Sequence, residues 1–125
     1  MQQSAAPSPE LFWKTLTGFQ HTAALKAAVE LEVFTAIDEG NQTAESIAGR
    51  CDAATRGIRI LCDTLTVLGL LAKNGGNYAL TDESALFLSK KSRAYLGSAT
   101  DFILSPSQIR GFTDLTNAVR NGGSS

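Results

Sequence analysis

The sequence predicts a mainly α-helical domain with one short β-hairpin and extra helices at its N- and C-terminal ends. Three observations carry that reading. Apolar side chains recur at helical spacing, most cleanly at Ile58, Leu61, Cys62, Leu65 and Leu68. Two short runs, 70–73 and 78–81, flank the turn Asn74-Gly75-Gly76-Asn77, the pattern of a hairpin. Hydrophobic residues make up 43% of 125 residues, enough for one domain with a core of its own.

Residues 1–8 are polar and read as a flexible arm. Pro9 suits the first turn of a helix, where a missing N–H costs nothing. Phe12, Leu16, Phe19 and Ala23 then follow at helical spacing. Gly18 either weakens this helix or lets another backbone approach. A second apolar set comprises Leu25, Ala28, Val29, Val33, Phe34 and Ile37, and Glu39-Gly40-Asn41 ends it as a turn.

Thr43 is the expected N-cap of a short helix through Arg50, with Ala44, Ile47 and Ala48 facing inward. The chain breaks at Cys51-Asp52-Ala53, and Asp52 or Thr55 can cap the next helix, which Gly69 closes. Helix, turn, helix, hairpin is the order of a winged helix. Thr81 caps a short helix holding Leu86, Phe87 and Leu88. Residues 89–93 are basic and polar and predict a solvated loop. A helix is expected over 95–104. Another starts at Ser105-Pro106, a good N-cap before a good first helical residue, and runs to Arg120, where Asn121-Gly122-Gly123 ends it.

Charge narrows the function. The net value is -1, which gives no general attraction to nucleic acid or an anionic membrane. Residues 1–43 carry two basic and five acidic side chains, and 44–93 carry seven and five, so any anion-facing surface lies in the middle third. No apolar run approaches the roughly 18–20 residues of a membrane span, and residues 1–9 lack a signal-peptide pattern. Two cysteines are too few for a disulfide framework, so a reducing, cytoplasmic setting is expected.

The segment Leu25-Lys26-Ala27-Ala28-Val29-Glu30-Leu31-Glu32-Val33-Phe34 resembles the small-molecule O-methyltransferases that use S-adenosylmethionine. The likeness continues in order through Thr17-Gly18-Phe19, residues 45–71, the wing at 76–81 and Ala118-Val119-Arg120-Asn121-Gly122. Each piece is short, and their shared order gives the signal its specificity. The resemblance implies an N-terminal dimerisation domain over residues 9–123, whose helices interlock with those of a second, identical subunit and help wall the pocket of a small-molecule acceptor. It places Phe19, Thr22 and Ala23 at that pocket, with Ala23 smaller than the methionine often found there. Phe19 suits core packing equally well.

The family's methyl donor needs a glycine-rich loop between a strand and a helix, with an acidic residue for its ribose. No such unit is legible in this sequence. The donor loop, the catalytic base and S-adenosylmethionine itself are therefore expected in a domain after Gly123, and this chain alone is expected to hold no catalytic residue and no cofactor.

Other candidates carry less. His21, the single histidine, has no acid or base near it in sequence and reads as a partly exposed helix residue. Cys51 and Cys62 fit no zinc spacing and read as buried or half-buried thiols, so no metal is expected. Phe12 and Trp13 predict core or dimer interface, and Leu16, Phe102 and Leu104 join them as interface candidates. The alternative is a winged-helix DNA-binding regulator reading through Arg56 and Arg59. Its recognition helix also carries Asp63, and its wing has Lys73 alone, too few cations for phosphate-driven affinity.

Overall fold

The computed structural model describes residues 6–122. Its first helix, α1 (Glu10–Glu30), starts after Pro9 and passes through Gly18 without a break. The apolar sets expected on either side of residue 24 thus share one 21-residue helix as far as Val29. It stops at Leu31, whose N–H reaches Ala27 O, and Glu32 follows in the left-handed region at φ 62°. That conformation is uncommon outside glycine and turns the chain sharply. It delivers Val33 to α2 (Val33–Asp38), where five successive residues are buried.

The next helix, α3 (Ala44–Cys51), is capped as expected. Thr43 Oγ1 accepts from Ser46 N at 3.1 Å, and Ser46 Oγ accepts from Thr43 N at 3.2 Å. The helix runs one residue past the expected Arg50. Asp52 adopts the left-handed conformation at its end, so it closes α3 and does not cap the following helix. Thr55 does not cap it either. Ala54 is the N-cap of α4 (Thr55–Leu68) and makes no side-chain bond. Packing of Ile58, Cys62 and Leu65 against the core holds α4 in place of a cap.

Gly69 then turns the chain at φ 87° into an antiparallel hairpin of β1 (Leu71–Asn74) and β2 (Asn77–Leu80), with Leu71 opposite Leu80 and Lys73 opposite Tyr78. The two-residue Gly75-Gly76 turn matches the sequence expectation, with strand ends shifted by one residue. The winged-helix order is therefore realised. The core gathers Ala28 and Val29 of α1, Phe34 and Ile37 of α2, Ile47 of α3, Ile58 and Leu65 of α4, and Leu71 and Tyr78 of the hairpin.

Helix α5 (Asp82–Phe87) repeats the cap of α3, with Thr81 and Ser84 exchanging bonds. The basic segment after it is a loop, as expected, but it is tied down. Ser89 Oγ donates to Asp38 Oδ2 at 2.6 Å, Lys90 N donates to Thr35 Oγ1 at 3.0 Å, and Lys90 Nζ reaches Glu32 Oε2 at 2.7 Å.

Two helices differ from expectation. Only Ala99–Ile103 (α6) of residues 95–104 is helical. Leu96 N instead donates to Phe87 O at 2.7 Å, and the Tyr95 ring folds over buried Gly97, leaving no room there for a side chain. The last helix is two: α7 (Pro106–Thr113), capped by Ser105, and α8 (Leu115–Arg120). Asp114 leaves helical geometry at ψ 21°, and its carboxylate accepts from Asn117 Nδ2 at 2.7 Å, an alternative to continuing the ladder. Gly122 at φ 83° ends the described chain, while Gly123 and residues 1–5 of the expected arm lie outside it.

Candidate functional site

The N-terminal part of α1 stands clear of the core. Leu11, Phe12, Trp13, Leu16 and Phe19 are 74, 60, 55, 58 and 71% exposed. Core placement of Phe12, Trp13 or Phe19, one of the alternatives read from sequence, is thereby excluded. Phe12 and Trp13 meet edge to face, with centroids 5.2 Å apart and planes at 72°. Phe102 and Ile103 of α6, Phe112 of α7, and Leu115 and Val119 of α8 are exposed as well. Large apolar residues clustered in this way mark a surface that binds something.

A partly enclosed groove of about 560 Å³ lies between α1 and the α6–α7 pair. Phe19, Thr22 and Ala23 line its α1 side, so the three residues that sequence assigned to an acceptor pocket share one cavity wall. Leu104, assigned to the interface, lines the same groove opposite them, whereas Phe102 does not line it. Ile103, Ile109, Phe112, Thr113 and Lys26 complete it and were not singled out from sequence. Ile109 and Phe112 do follow a helical i, i+3 step, which was the available signal. A shallower hollow of about 510 Å³ runs along α7 and α8 past Phe112, Leu115 and Val119. His21 is exposed on α1 and lines neither.

Two of the three cations on the would-be DNA-reading helix and wing are paired with neighbouring carboxylates. Arg59 pairs with Glu45 at 2.9 Å, and Lys73 pairs with Asp63 at 2.8 Å. Asp63 also accepts from Tyr78 Oη at 2.6 Å, which fastens the wing to α4. Only Arg56 of that set is exposed without an ion pair among the described residues, and nothing here favours DNA binding. Cys51 is half-buried and Cys62 buried, as expected. Burial pushes the Cys62 thiol up to about 12, so it stays protonated and unreactive.

Acidic side chains hold the turn that follows α1. Glu32 bridges Lys90 at 2.7 Å and Arg50 at 3.0 Å, and Arg50 also grips Glu39 at 2.6 Å. The hydrogen bond from Lys90, then that from Arg50, holds the Glu32 carboxyl below its ordinary 4.5. Arg50 does the same to Glu39, and Lys73 followed by Tyr78 does so to Asp63, below 3.8. A carboxyl whose folded pKa is depressed adds stability that is present above its unfolded pKa and lost as pH falls through the folded value. The urea midpoint is therefore expected to be flat near neutrality and to fall below about pH 4.5. Glu32→Gln should lower the neutral midpoint and shrink the acid drop. A drop of unchanged size in that variant would exclude Glu32 as a contributor.

Comparison with known proteins places this architecture. The family model for the O-methyltransferase dimerisation domain matches residues 13–90, more than half of the chain. The chain belongs to that family. The dimerisation domain is similar in structure to a Nostoc punctiforme PCC 73102 protein assigned as an O-methyltransferase, at 47% identity and a TM-score of 0.91, covering 97% of this chain and 37% of that one. It is also similar to human N-acetylserotonin methyltransferase solved in complex with S-adenosylmethionine, at 28% identity and a TM-score of 0.83, covering 98% and 37%. In sequence it is 32% identical over 112 residues to 3-hydroxy-5-methyl-1-naphthoate 3-O-methyltransferase of Streptomyces sahachiroi, covering 90% of this chain and 32% of that enzyme. The chain thus spans about a third of the length of these relatives.

Proposed function

We propose that this domain pairs two identical subunits of an S-adenosylmethionine-dependent O-methyltransferase and supplies one wall of the pocket for a small aromatic acceptor. The exposed apolar face of α1 carries the reading, since Phe12, Trp13 and Leu16 are each more than half exposed among the described residues. A homodimer is the commonest way to cover such a face. Phe102, exposed on α6, is assigned to the same pairing role, and so is Leu104, which lines the groove. The acceptor reading rests on Phe19, Thr22 and Ala23 facing one groove, and the naphthoate in the name of the Streptomyces relative favours an aromatic occupant.

Methyl transfer itself is the work of the catalytic domain of such an enzyme, outside the residues described here. The described residues do not fit the methyl donor. Gly75 and Gly76 turn a hairpin instead of leading from a strand into a helix, and Gly122 sits at the end of α8. Where that domain is present, S-adenosylmethionine supplies the methyl group, and the residues described here orient the acceptor and exclude water from it. Two free thiols suit a reducing, cytoplasmic setting. Among the described residues no helix is long and apolar enough to cross a membrane.

Sedimentation equilibrium tests the pairing. The protein is expected to run as a dimer at about tens of micromolar, above the micromolar-to-picomolar dissociation constants of standard-size interfaces. A single monomer species there would sink the proposal.

A further inference from the structure

The groove beside α1 contains a charge that its apolar walls do not require. Among the described residues lining it, Lys26 is the one charged side chain, and no carboxylate lines it. Lys26 lies one turn beyond Thr22 and Ala23 on the same face of α1, opposite Ile103, Leu104 and Ile109. Its Nζ is held at 2.8 Å from Glu30 Oε1, and the two side chains are 32% and 55% exposed. An exposed pair of this i, i+4 kind is weak, because water competes for both charges. A carboxylate brought in on an apolar body would meet the same ammonium with less water around it, where the attraction is stronger.

We propose that Lys26 makes this groove selective for planar aromatic acceptors that carry a carboxylate, exchanging its Glu30 partner for the ligand's anion. The inference rests on the reading of the groove as an acceptor wall and adds the charge of the acceptor to it. The volume of about 560 Å³ accommodates a two-ring ligand. A lysine can lay its stem along an apolar wall and keep its ammonium in water, so Lys26, which lines the groove, can offer its charge to the carboxylate of a seated ring system.

Calorimetric titration with 1-naphthoate and with 1-naphthamide, one shape with and without the charge, tests this. The protein is expected to bind the naphthoate about tenfold more tightly than the amide. Lys26→Gln should bring the two affinities together while keeping amide binding, and Lys26→Arg should retain the preference. Glu30→Gln, which removes the competing carboxylate, should tighten naphthoate binding alone. Circular dichroism on each variant confirms that it is folded. Equal affinities in the unaltered protein, or a preference that survives Lys26→Gln, would overturn the charge selectivity and leave the acceptor wall standing. Binding of neither ligand would overturn both and give the groove to the second subunit.

Discussion

Phe34→Ala is expected to destabilise the protein by about 3–5 kcal/mol, the range for emptying a fully buried phenylalanine site. Phe34 is 0% exposed and is the second residue of α2, the helix buried from Val33 to Ile37. Its cluster joins residues of α1, α3, α4 and the hairpin, so the cavity would open where several elements meet. Collapse around it is restricted, because the same helix is fixed by polar ties at both ends. Glu32 binds Arg50 and Lys90 before it, and Asp38 and Thr35 bind the 89–90 segment alongside. Small domains have roughly 5–15 kcal/mol of net stability, so this single change would consume a large share. Urea denaturation at one fixed protein concentration is the measurement, because pairing makes apparent stability concentration-dependent. Phe102→Ala, at a site 78% exposed, is the control and should shift the midpoint little at concentrations where the chain is monomeric. A Phe34→Ala loss below about 1 kcal/mol would mean that the core repacks around the gap, against the tightness inferred for α2.

Local signals made most of the fold legible. Thr43 and Thr81 announce helix starts because a threonine cap with serine three residues on satisfies orphan N–H groups within one turn. Asn74-Gly75-Gly76-Asn77 specifies its hairpin in the same local way. The breaks at 31–32, 95–98 and 114 were hidden. Glu32 is not a residue that sequence reasoning places in the left-handed region, and its partners lie 18 and 58 positions away. Leu96 is drawn out of a helix by the Phe87 carbonyl on α5, a bond that the spacing of apolar residues does not signal.

The candidate site divides along the same line. Phe19, Thr22 and Ala23 could be reached through resemblance to a family, and they do share a wall. Lys26 was not singled out in the sequence, because its position beside a groove depends on α6 and α7 folding back onto α1. The break between α6 and α7 that shapes the opposite wall was announced by Ser105-Pro106, whereas the break at Asp114 that separates α7 from α8 was not.

Leu16→Asp and Phe12→Asp are each expected to weaken pairing about a hundredfold or more, with the monomer fold intact. The two residues stand one turn apart on α1, 58% and 60% exposed, and neither belongs to the core cluster. Complete burial of such a side chain contributes about 1.5–3 kcal/mol, and that contribution disappears with the substitution. The aspartate adds a second cost, since its charge would enter an apolar interface without a partner. Together these exceed the roughly 2.7 kcal/mol that corresponds to a hundredfold change in dissociation constant. Lys14→Asp is the companion variant: it introduces the same residue on α1 at a position that is already polar, and it should cost far less. Sedimentation equilibrium reads the dissociation constant, and far-ultraviolet circular dichroism reads the fold. If all three variants paired as the unaltered protein does, the surface joining the subunits would lie elsewhere, and the exposed α7–α8 face at Phe112, Leu115 and Val119 would be the next place to substitute. Loss of helix signal together with pairing would carry a different meaning: the N-terminal turns of α1 make few tertiary contacts of their own, so they would be helical only when a second subunit covers them.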